Sequence, residues 1–160
     1  MDLKSLITSL CGLYSVSGAE SASTDGVGKI LGDLFDEHVA YGVGNHVFIK
    51  RCGRKNAPKI LLDAHFDEIG MLVTDITEEG FVRMTNVGGV DTRILQAAEV
   101  TVYGKEKLYG VVASTPPHLQ KPEDAKNLKK IDELYIDTGY SKETLQTLVS
   151  VGTPVGFKPK

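Results

Sequence analysis

Apolar side chains at the start of the chain recur at helical spacing. They lie on one face of a helix: Leu3, Leu6, Ile7, Leu10 and Leu13. Asp2 stands where the N-cap residue of that helix would be. The segment is apolar enough to resemble an export signal, but Asp2 lies where such a signal is basic, and no A-x-A-like cleavage site follows closely. The pattern therefore predicts an amphipathic helix.

A second helical pattern, over residues 19–36, leads into two predicted strands. The apolar face of this helix is formed by Val27, Ile30, Leu31, Leu34 and Phe35. Three glycines lie within the helix and weaken it, so it must rely on packing. Strands are predicted at residues 37–43 and 46–51, joined by a tight turn at Gly44-Asn45.

Residues 59–64 form a short apolar run around Ile60, Leu61 and Leu62. Such a run is typical of a strand that is buried on both faces. A strand of that kind needs strands beside it and helices above and below. The chain up to about Asp67 does not supply them, so this part predicts an α/β unit whose sheet is incomplete.

After about Gly70 the pattern changes to short strands separated by glycine and charged turns. We predict strands at residues 71–76, 81–87, 99–103, 108–113 and 134–137, a helix at 141–150 and an extended segment at 151–157. Ser141 can cap that helix. Regularly spaced short strands favour a small barrel or sandwich.

Composition excludes several classes of protein. The 160 residues carry a net charge of −3, which argues against a protein that binds a phosphate backbone. No run approaches the roughly 18 apolar residues that a membrane-spanning helix needs. Two cysteines, Cys11 and Cys52, are too few for a disulfide framework and are not spaced as a zinc pair. Reduced thiols and a cytoplasmic location are therefore expected.

The sharpest chemical signal is the pair His65 and Asp67 at the end of the run 59–64. Residues two apart on an extended chain project to one side, and ligands collect at the carboxyl ends of strands in open α/β sheets. A nearby carboxylate can accept the second N–H of an imidazole and orient it as a metal ligand. Glu68 adjoins the pair as a further candidate. Taken alone, H-x-D is a weak pattern, and a histidine satisfied by local hydrogen bonds is the alternative.

The other histidines carry less signal. His38 and His46 flank the predicted hairpin and are interpreted as surface strand residues. His118 follows two prolines in a polar loop, where a surface role is common. The sequence contains no G-x-S-x-G motif, no P-loop and no dinucleotide-binding glycine motif.

Several motifs of the chain occur in a fixed order. They are Ser17-Gly18-x-Glu20, Gly44-Asn45, Ala64-His65-Phe66-Asp67-Glu68-Ile69-Gly70, Val87-Gly88-Gly89-x-Asp91-x-Arg93, Pro116-Pro117-His118-Leu119, Ile136-Asp137-x-Gly139 and Gly152-Thr153-Pro154-Val155. In these residues, over nearly its whole length, the chain resembles the N-terminal half of the tetrahedral-assembly metallo-aminopeptidases. This family includes glutamyl and deblocking aminopeptidases, and some members have been labelled endoglucanases.

The resemblance implies an α/β catalytic domain with an inserted small β-barrel that helps to form oligomers. On this match, residues 1–69 begin the catalytic domain, residues 70–151 form the barrel and residues 152–160 begin the return to the catalytic domain. The resemblance also implies two divalent metal ions, zinc or cobalt, that activate a water to hydrolyse the N-terminal residue of a peptide. His65 would be a metal ligand and Asp67 the catalytic carboxylate that orients it.

The same resemblance places the remaining metal ligands beyond the motif that ends at Val155. Since His65 is the one matched ligand, we expect no peptidase activity from this chain alone, and a second chain could supply the missing half. A non-catalytic β-barrel module for oligomerisation is the alternative. A minor third hypothesis is a mononuclear metal site formed by His65, Asp67 and His118.

Overall fold

The computed structural model describes residues 2–119 and 127–158, which separate into two units between Glu68 and Ile69. In the first unit, helix α1 (Leu3–Cys11) begins where the Asp2 carboxylate accepts a 3.0 Å hydrogen bond from the Ser5 amide. The predicted amphipathic helix and its N-cap are therefore confirmed. The helix ends at Gly12, whose amide bonds back to helix carbonyl groups.

The second predicted helix is shorter than its apolar pattern. Helix α2 covers Thr24–Leu31 and is flanked by 3₁₀ turns at Glu20–Ser23 and Gly32–Leu34. The prediction of one continuous helix over residues 19–36 was wrong at both ends. The α-helix stops at Gly32, where a glycine weakens it, and Val27 is its buried residue.

Strands β1 (Glu37–Tyr41) and β2 (Asn45–Ile49) form the predicted antiparallel hairpin. The loop is one residue longer than predicted. Strand β1 ends at Tyr41, which pairs with Asn45, so the loop consists of residues 42–44. Gly44 has a φ of +93°, and a Cβ placed there would come within 2.8 Å of Glu20. Glycine at this position therefore allows both the turn and its close approach to the neighbouring backbone.

The prediction of a buried strand at residues 59–64 was wrong. This segment has no strand partner among the described residues. Ile60, Leu61 and Leu62 are 84%, 87% and 90% exposed. The apolar run has the composition of a doubly buried strand, but burial requires neighbours that the described residues do not provide.

The second unit is a closed barrel of six antiparallel strands. The strands are β3 (Gly70–Ile76), β4 (Val82–Val87), β5 (Glu99–Tyr103), β6 (Lys107–Ser114), β7 (Leu134–Asp137) and β8 (Pro154–Phe157), and their order around the barrel is β3-β4-β7-β6-β5-β8. The predicted strands are therefore confirmed within a few residues. Alternating side chains of these strands point inward, as the period of a strand requires.

The barrel has a continuous apolar core. Its buried members are Met71, Val73, Val82, Met84, Leu95, Val100, Val102, Leu108, Val112, Leu134, Ile136, Leu145, Val149 and Val155. Leu145 comes from helix α3 (Lys142–Leu148), whose predicted cap Ser141 accepts a 3.4 Å hydrogen bond from the Thr144 amide. The core lies entirely in the second unit, which thus has its own source of stability.

Strand β8 is one of the six strands of the barrel wall. Residues 152–160 were predicted instead to begin the return to the catalytic domain. Val155 of β8 pairs with Met71 of β3 on one side and with Val102 of β5 on the other. The Val155 side chain is fully buried. These pairings close the barrel, so residues 154–157 belong to it.

Candidate metal-ligand site

His65 and Asp67 lie on a segment of the first unit without regular secondary structure, and main-chain hydrogen bonds hold the end of this segment. The Glu68 amide donates to the Ser15 carbonyl over 2.9 Å, and the Ser17 amide donates to the Glu68 carbonyl over 3.0 Å. Between these two bonds Val16 is fully buried and forms a parallel bridge with Glu68. The residue directly after Asp67 is therefore held in place.

The His65 ring folds back onto its own segment. Its Nδ1 atom lies 2.9 Å from the main-chain oxygen of Asp67 and 3.5 Å from the Asp67 carboxylate. Because a carbonyl oxygen can only accept, Nδ1 carries the hydrogen in the neutral ring. Nε2 then has the free lone pair, and the side chain is 86% exposed. This is the arrangement of an oriented imidazole ligand.

The contact differs in one respect from the predicted one. The Asp67 carboxylate was the expected acceptor of the His65 N–H, but the shorter contact of the ring is with the main-chain oxygen of Asp67. The carboxylate stands beside the ring at 3.5 Å and is 41% exposed. The structure thus brings the two predicted residues together, while their catalytic and metal-binding roles stay predictions.

A complete metal site is not assembled by the described residues. Residues 2–119 and 127–158 contain no group of three or more His, Cys, Asp or Glu side chains that could hold an ion. Protein zinc sites use at least three protein ligands. His65 therefore fits as one ligand, and within the described residues His65, Asp67 and His118 do not form such a group.

The carboxyl groups of Glu68 and of the Asp-x-Arg motif have structural explanations. The Glu68 carboxyl is partly withdrawn from water, which raises its pKa, and hydrogen bonds from Ser15 oppose that shift. The Asp91 carboxylate caps the 3₁₀ turn Thr92–Ile94 and pairs with the Arg93 guanidinium, whose hydrogen bonds lower the pKa of Asp91. In the described structure, the Asp-x-Arg motif therefore shapes a turn of the second unit.

Two histidines of the hairpin make a contact that was not predicted. His38 and His46, interpreted above as surface strand residues, are half-buried, and their ring nitrogens lie 3.0 Å apart. The hairpin register could have revealed this contact, because it places both residues on one face of the two strands. His118 is exposed and belongs to the 3₁₀ turn Pro117–Leu119 of the second unit.

Two further expectations concern location. Cys11 and Cys52 are both exposed and free. Among the described residues, no helix has the length and apolar character required to cross a membrane. The cytoplasmic location and the lack of nucleic-acid and membrane partners stay predictions.

The known proteins to which this chain is similar are described as aminopeptidases. The M42 glutamyl aminopeptidase family matches residues 44–160. The lysyl aminopeptidase of Pyrococcus furiosus is 33% identical over 149 residues, which cover 90% of this chain and 42% of that protein. The TET aminopeptidase of the marine sediment archaeon Thaumarchaeota archaeon SCGC AB-539-E09 is 28% identical, with a TM-score of 0.85 over 96% of this chain and 44% of that one.

A third relative adds information on assembly. The TET1 peptidase of Pyrococcus horikoshii, described as able to assemble into a tetrahedron or a large octahedral shell, is 32% identical with a TM-score of 0.81. That match covers 98% of this chain and 47% of the other. The chain thus spans less than half the length of these relatives.

Proposed function

Because the chain belongs to the M42 glutamyl aminopeptidase family, we propose that it contributes to a metal-dependent aminopeptidase that removes N-terminal residues from peptides. Residues 1–69 would be the first part of an α/β catalytic domain, and the barrel would be an inserted domain. The observation that carries the proposal is the His65 imidazole. Its Nδ1 is engaged by Asp67 and its Nε2 is exposed, within a chain that matches an aminopeptidase family.

In this proposal His65 is a metal ligand and Asp67 is the residue that orients it. The Asp67 carbonyl holds the Nδ1 hydrogen, which fixes the tautomer and directs the Nε2 lone pair outward. The Ser15–Glu68 and Ser17–Glu68 hydrogen bonds restrict the movement of the segment. Two divalent ions, zinc or cobalt, would lower the pKa of a bound water and polarise the peptide carbonyl.

We expect the chain to have no peptidase activity by itself. The described residues provide a single oriented imidazole and no group of three suitable ligands. The exposed apolar segment around Leu61 also lacks a partner among them. A second chain or a further segment that packs there could supply both the missing ligands and the missing burial.

The test combines this chain with a relative. Residues 1–160 would replace the matching segment of the Pyrococcus furiosus lysyl aminopeptidase, and release of N-terminal amino acids from peptides would be measured with Zn²⁺ or Co²⁺. We expect metal-dependent release by the chimera and none by the isolated chain.

Variants of the chimera assign the roles. His65→Ala should abolish release without changing the fold, and Asp67→Asn should weaken metal affinity about 10–100-fold. His118→Gln, which alters a histidine of the other unit, should leave the release of amino acids and the metal affinity unchanged. Full activity of the His65→Ala chimera, or release by the pure chain alone, would contradict the proposal.

A second function is favoured by the barrel itself. The barrel is closed and has its own buried core, so it could serve as a homo-oligomerisation module without catalysis. The P. horikoshii relative is described as assembling into closed shells. Self-association of the pure chain in sedimentation at micromolar concentration, together with an inactive chimera, would favour this function. A strictly monomeric chain would count against it.

A further inference from the structure

The hairpin carries an aromatic cluster on one face. Its register places His38 opposite Phe48 and Ala40 opposite His46. Because alternate residues of a strand share a face, and diagonal neighbours lie within reach, His38, His46 and Phe48 meet there. Both histidines are half-buried.

The two imidazole rings meet edge to edge. His38 Nε2 lies 3.0 Å from His46 Nδ1, while the ring centroids are 5.3 Å apart and the ring planes differ by 14°. The shortest approach is therefore through these two nitrogens rather than through the ring faces. The Phe48 ring lies over the pair, 4.3 Å from the centroid of His38 and 6.1 Å from that of His46.

The surroundings of His46 determine which nitrogen donates. His46 Nε2 is buried and has no hydrogen-bond partner. If His46 Nδ1 accepted the bond, the hydrogen of the neutral ring would be on Nε2, and a buried N–H would lack an acceptor, which is costly. The favourable assignment therefore has His46 Nδ1–H donating to His38 Nε2, with a bare lone pair at His46 Nε2.

This assignment leaves no good place for an additional proton. A proton on His38 Nε2 would face the donor of His46, and a proton on His46 Nε2 would be a buried, unpaired donor. The remaining nitrogen, His38 Nδ1, already carries its hydrogen and faces helix α2. At that point a Cβ on Gly28 would come within 3.3 Å of the nitrogen. Protonation must therefore break the contact or bury an unsatisfied N–H.

The charged and titratable groups on the packed elements do not replace this missing acceptor. They are Asp25 and Lys29 on α2, Asp36, Glu37, Lys50 and Arg51 around the hairpin, and Asp63, His65 and Asp67 beside Phe66. Asp36 is paired with Lys50, Glu37 with Arg51, and Asp67 contacts His65. Burial, followed by the neighbouring His38, lowers the pKa of His46.

We propose that His38 and His46 form a proton-sensitive latch, closed near neutral pH and opened by acid, which holds the hairpin against α2 and against Phe66. The Phe66 ring meets the edge of His46 at a centroid distance of 6.1 Å and an angle of 75°. Since Phe66 stands between His65 and Asp67, opening the latch loosens the segment that carries them. The latch does not depend on the aminopeptidase function.

The direction and size of the effect follow from linkage. A histidine whose pKa is lowered in the folded state contributes stability above its ordinary pKa, and that stability is lost as the pH falls through the folded value. If the closed latch excludes one proton, hairpin opening at about pH 5 should be roughly 30-fold more favourable than at about pH 7.5, because the ordinary pKa is about 6.5.

Nuclear magnetic resonance of the full chain tests the latch directly, since the sequence has only four histidines. At about pH 7.5 the ring ¹⁵N spectrum should show His46 protonated at Nδ1 and bare at Nε2. Hydrogen-exchange protection of the β1–β2 amides should fall roughly 30-fold between about pH 7.5 and about pH 5. The β5–β6 amides of the barrel serve as the internal reference.

Matched variants separate titration from packing. His46→Asn keeps a donor near the Nδ1 position and does not titrate, so its acid-induced loss of protection should shrink to less than about threefold. His118→Gln should behave as the wild type. A His46 ring protonated at Nε2, or an equal acid response in His46→Asn and wild type, would overturn the proposal. If His46→Asn does not fold, the wild-type tautomer and exchange data decide.

Discussion

Replacing Gly110 by alanine should destabilise the barrel, although alanine normally strengthens a strand. Gly110 lies on β6 with its backbone buried beside β7. A Cβ added there would lie 2.5 Å from Cγ2 of Ile136 and 3.4 Å from the Asp137 carbonyl. Carbon atoms pack best at about 3.5–4.0 Å. The added methyl group therefore requires the fully buried Ile136 to move.

The magnitude follows from two opposing terms. Alanine in place of glycine usually gains about 0.5–1 kcal/mol in a strand. Overpacking a well-filled core costs about 1–3 kcal/mol. We therefore expect a net loss of about 1–2 kcal/mol in the free energy of unfolding of the barrel. Gly89→Ala is the matched control, because a Cβ at Gly89 would meet no heavy atom within 4 Å.

A double-mutant cycle isolates the contact between Gly110 and Ile136. Ile136→Ala alone should cost about 2–5 kcal/mol. Because Ile136→Ala removes Cγ2, the methyl group added at position 110 no longer clashes in the double variant. The double variant should therefore be about 1 kcal/mol more stable than the sum of the two single-variant losses predicts. The chain divides into two compact units, so hydrogen exchange of the slowest barrel amides, which reports on the barrel alone, is the appropriate measurement. Additivity within about 0.5 kcal/mol would refute the reasoning.

Three further predictions concern single positions. Leu145→Ala should lower the free energy of unfolding of the barrel by about 2–5 kcal/mol, because Leu145 is fully buried. Urea unfolding, followed by the barrel amide signals, measures this loss. A change below about 1 kcal/mol would contradict the prediction. Ser141→Ala should cost about 1 kcal/mol by the same measurement, since it removes the cap contact with Thr144, while Ser141→Asp should preserve stability. Hydrogen bonds from Ser5 lower the pKa of Asp2, so the first turn of α1 should fray as the pH falls below about 4. The carbon chemical shifts of α1 should show this fraying in the wild type and not in Asp2→Asn.

The strands of the barrel could be predicted from the sequence because the information that specifies them is local, although the pattern left a barrel and a sandwich as alternatives. Inward residues alternate with polar ones on each strand, and this alternation identifies the segments as strands. Glycine or charged turns separate the strands and indicate where each of them ends. Strand β5 was predicted at its observed residues. The role of β8 was missed because closing a barrel depends on pairing with β3 and β5, and four residues of sequence do not specify their partners.

The candidate site was predicted in its residues but not in its contacts. Two-residue spacing placed His65 and Asp67 together, whereas the choice between the main-chain and carboxylate oxygen of Asp67 depends on how the segment folds back. The His38–His46 contact needed the hairpin register, and the longer loop changed it: His38 lies opposite Phe48, whereas the predicted two-residue turn would place it opposite Arg51.

The misprediction at residues 59–64 has a physical origin in the neighbours that this run lacks among the described residues. Ile60, Leu61 and Leu62 are almost fully exposed, and burying side chains of this kind gains about 1.5–3 kcal/mol each. An element that packed beside them would therefore gain several kcal/mol, and the apolar run itself lies shortly before His65 in the chain. On the proposed function, the same element would also bring further ligands to the exposed Nε2 atom. The exposed apolar run is therefore the surface of the first unit where a further part of the proposed enzyme would pack.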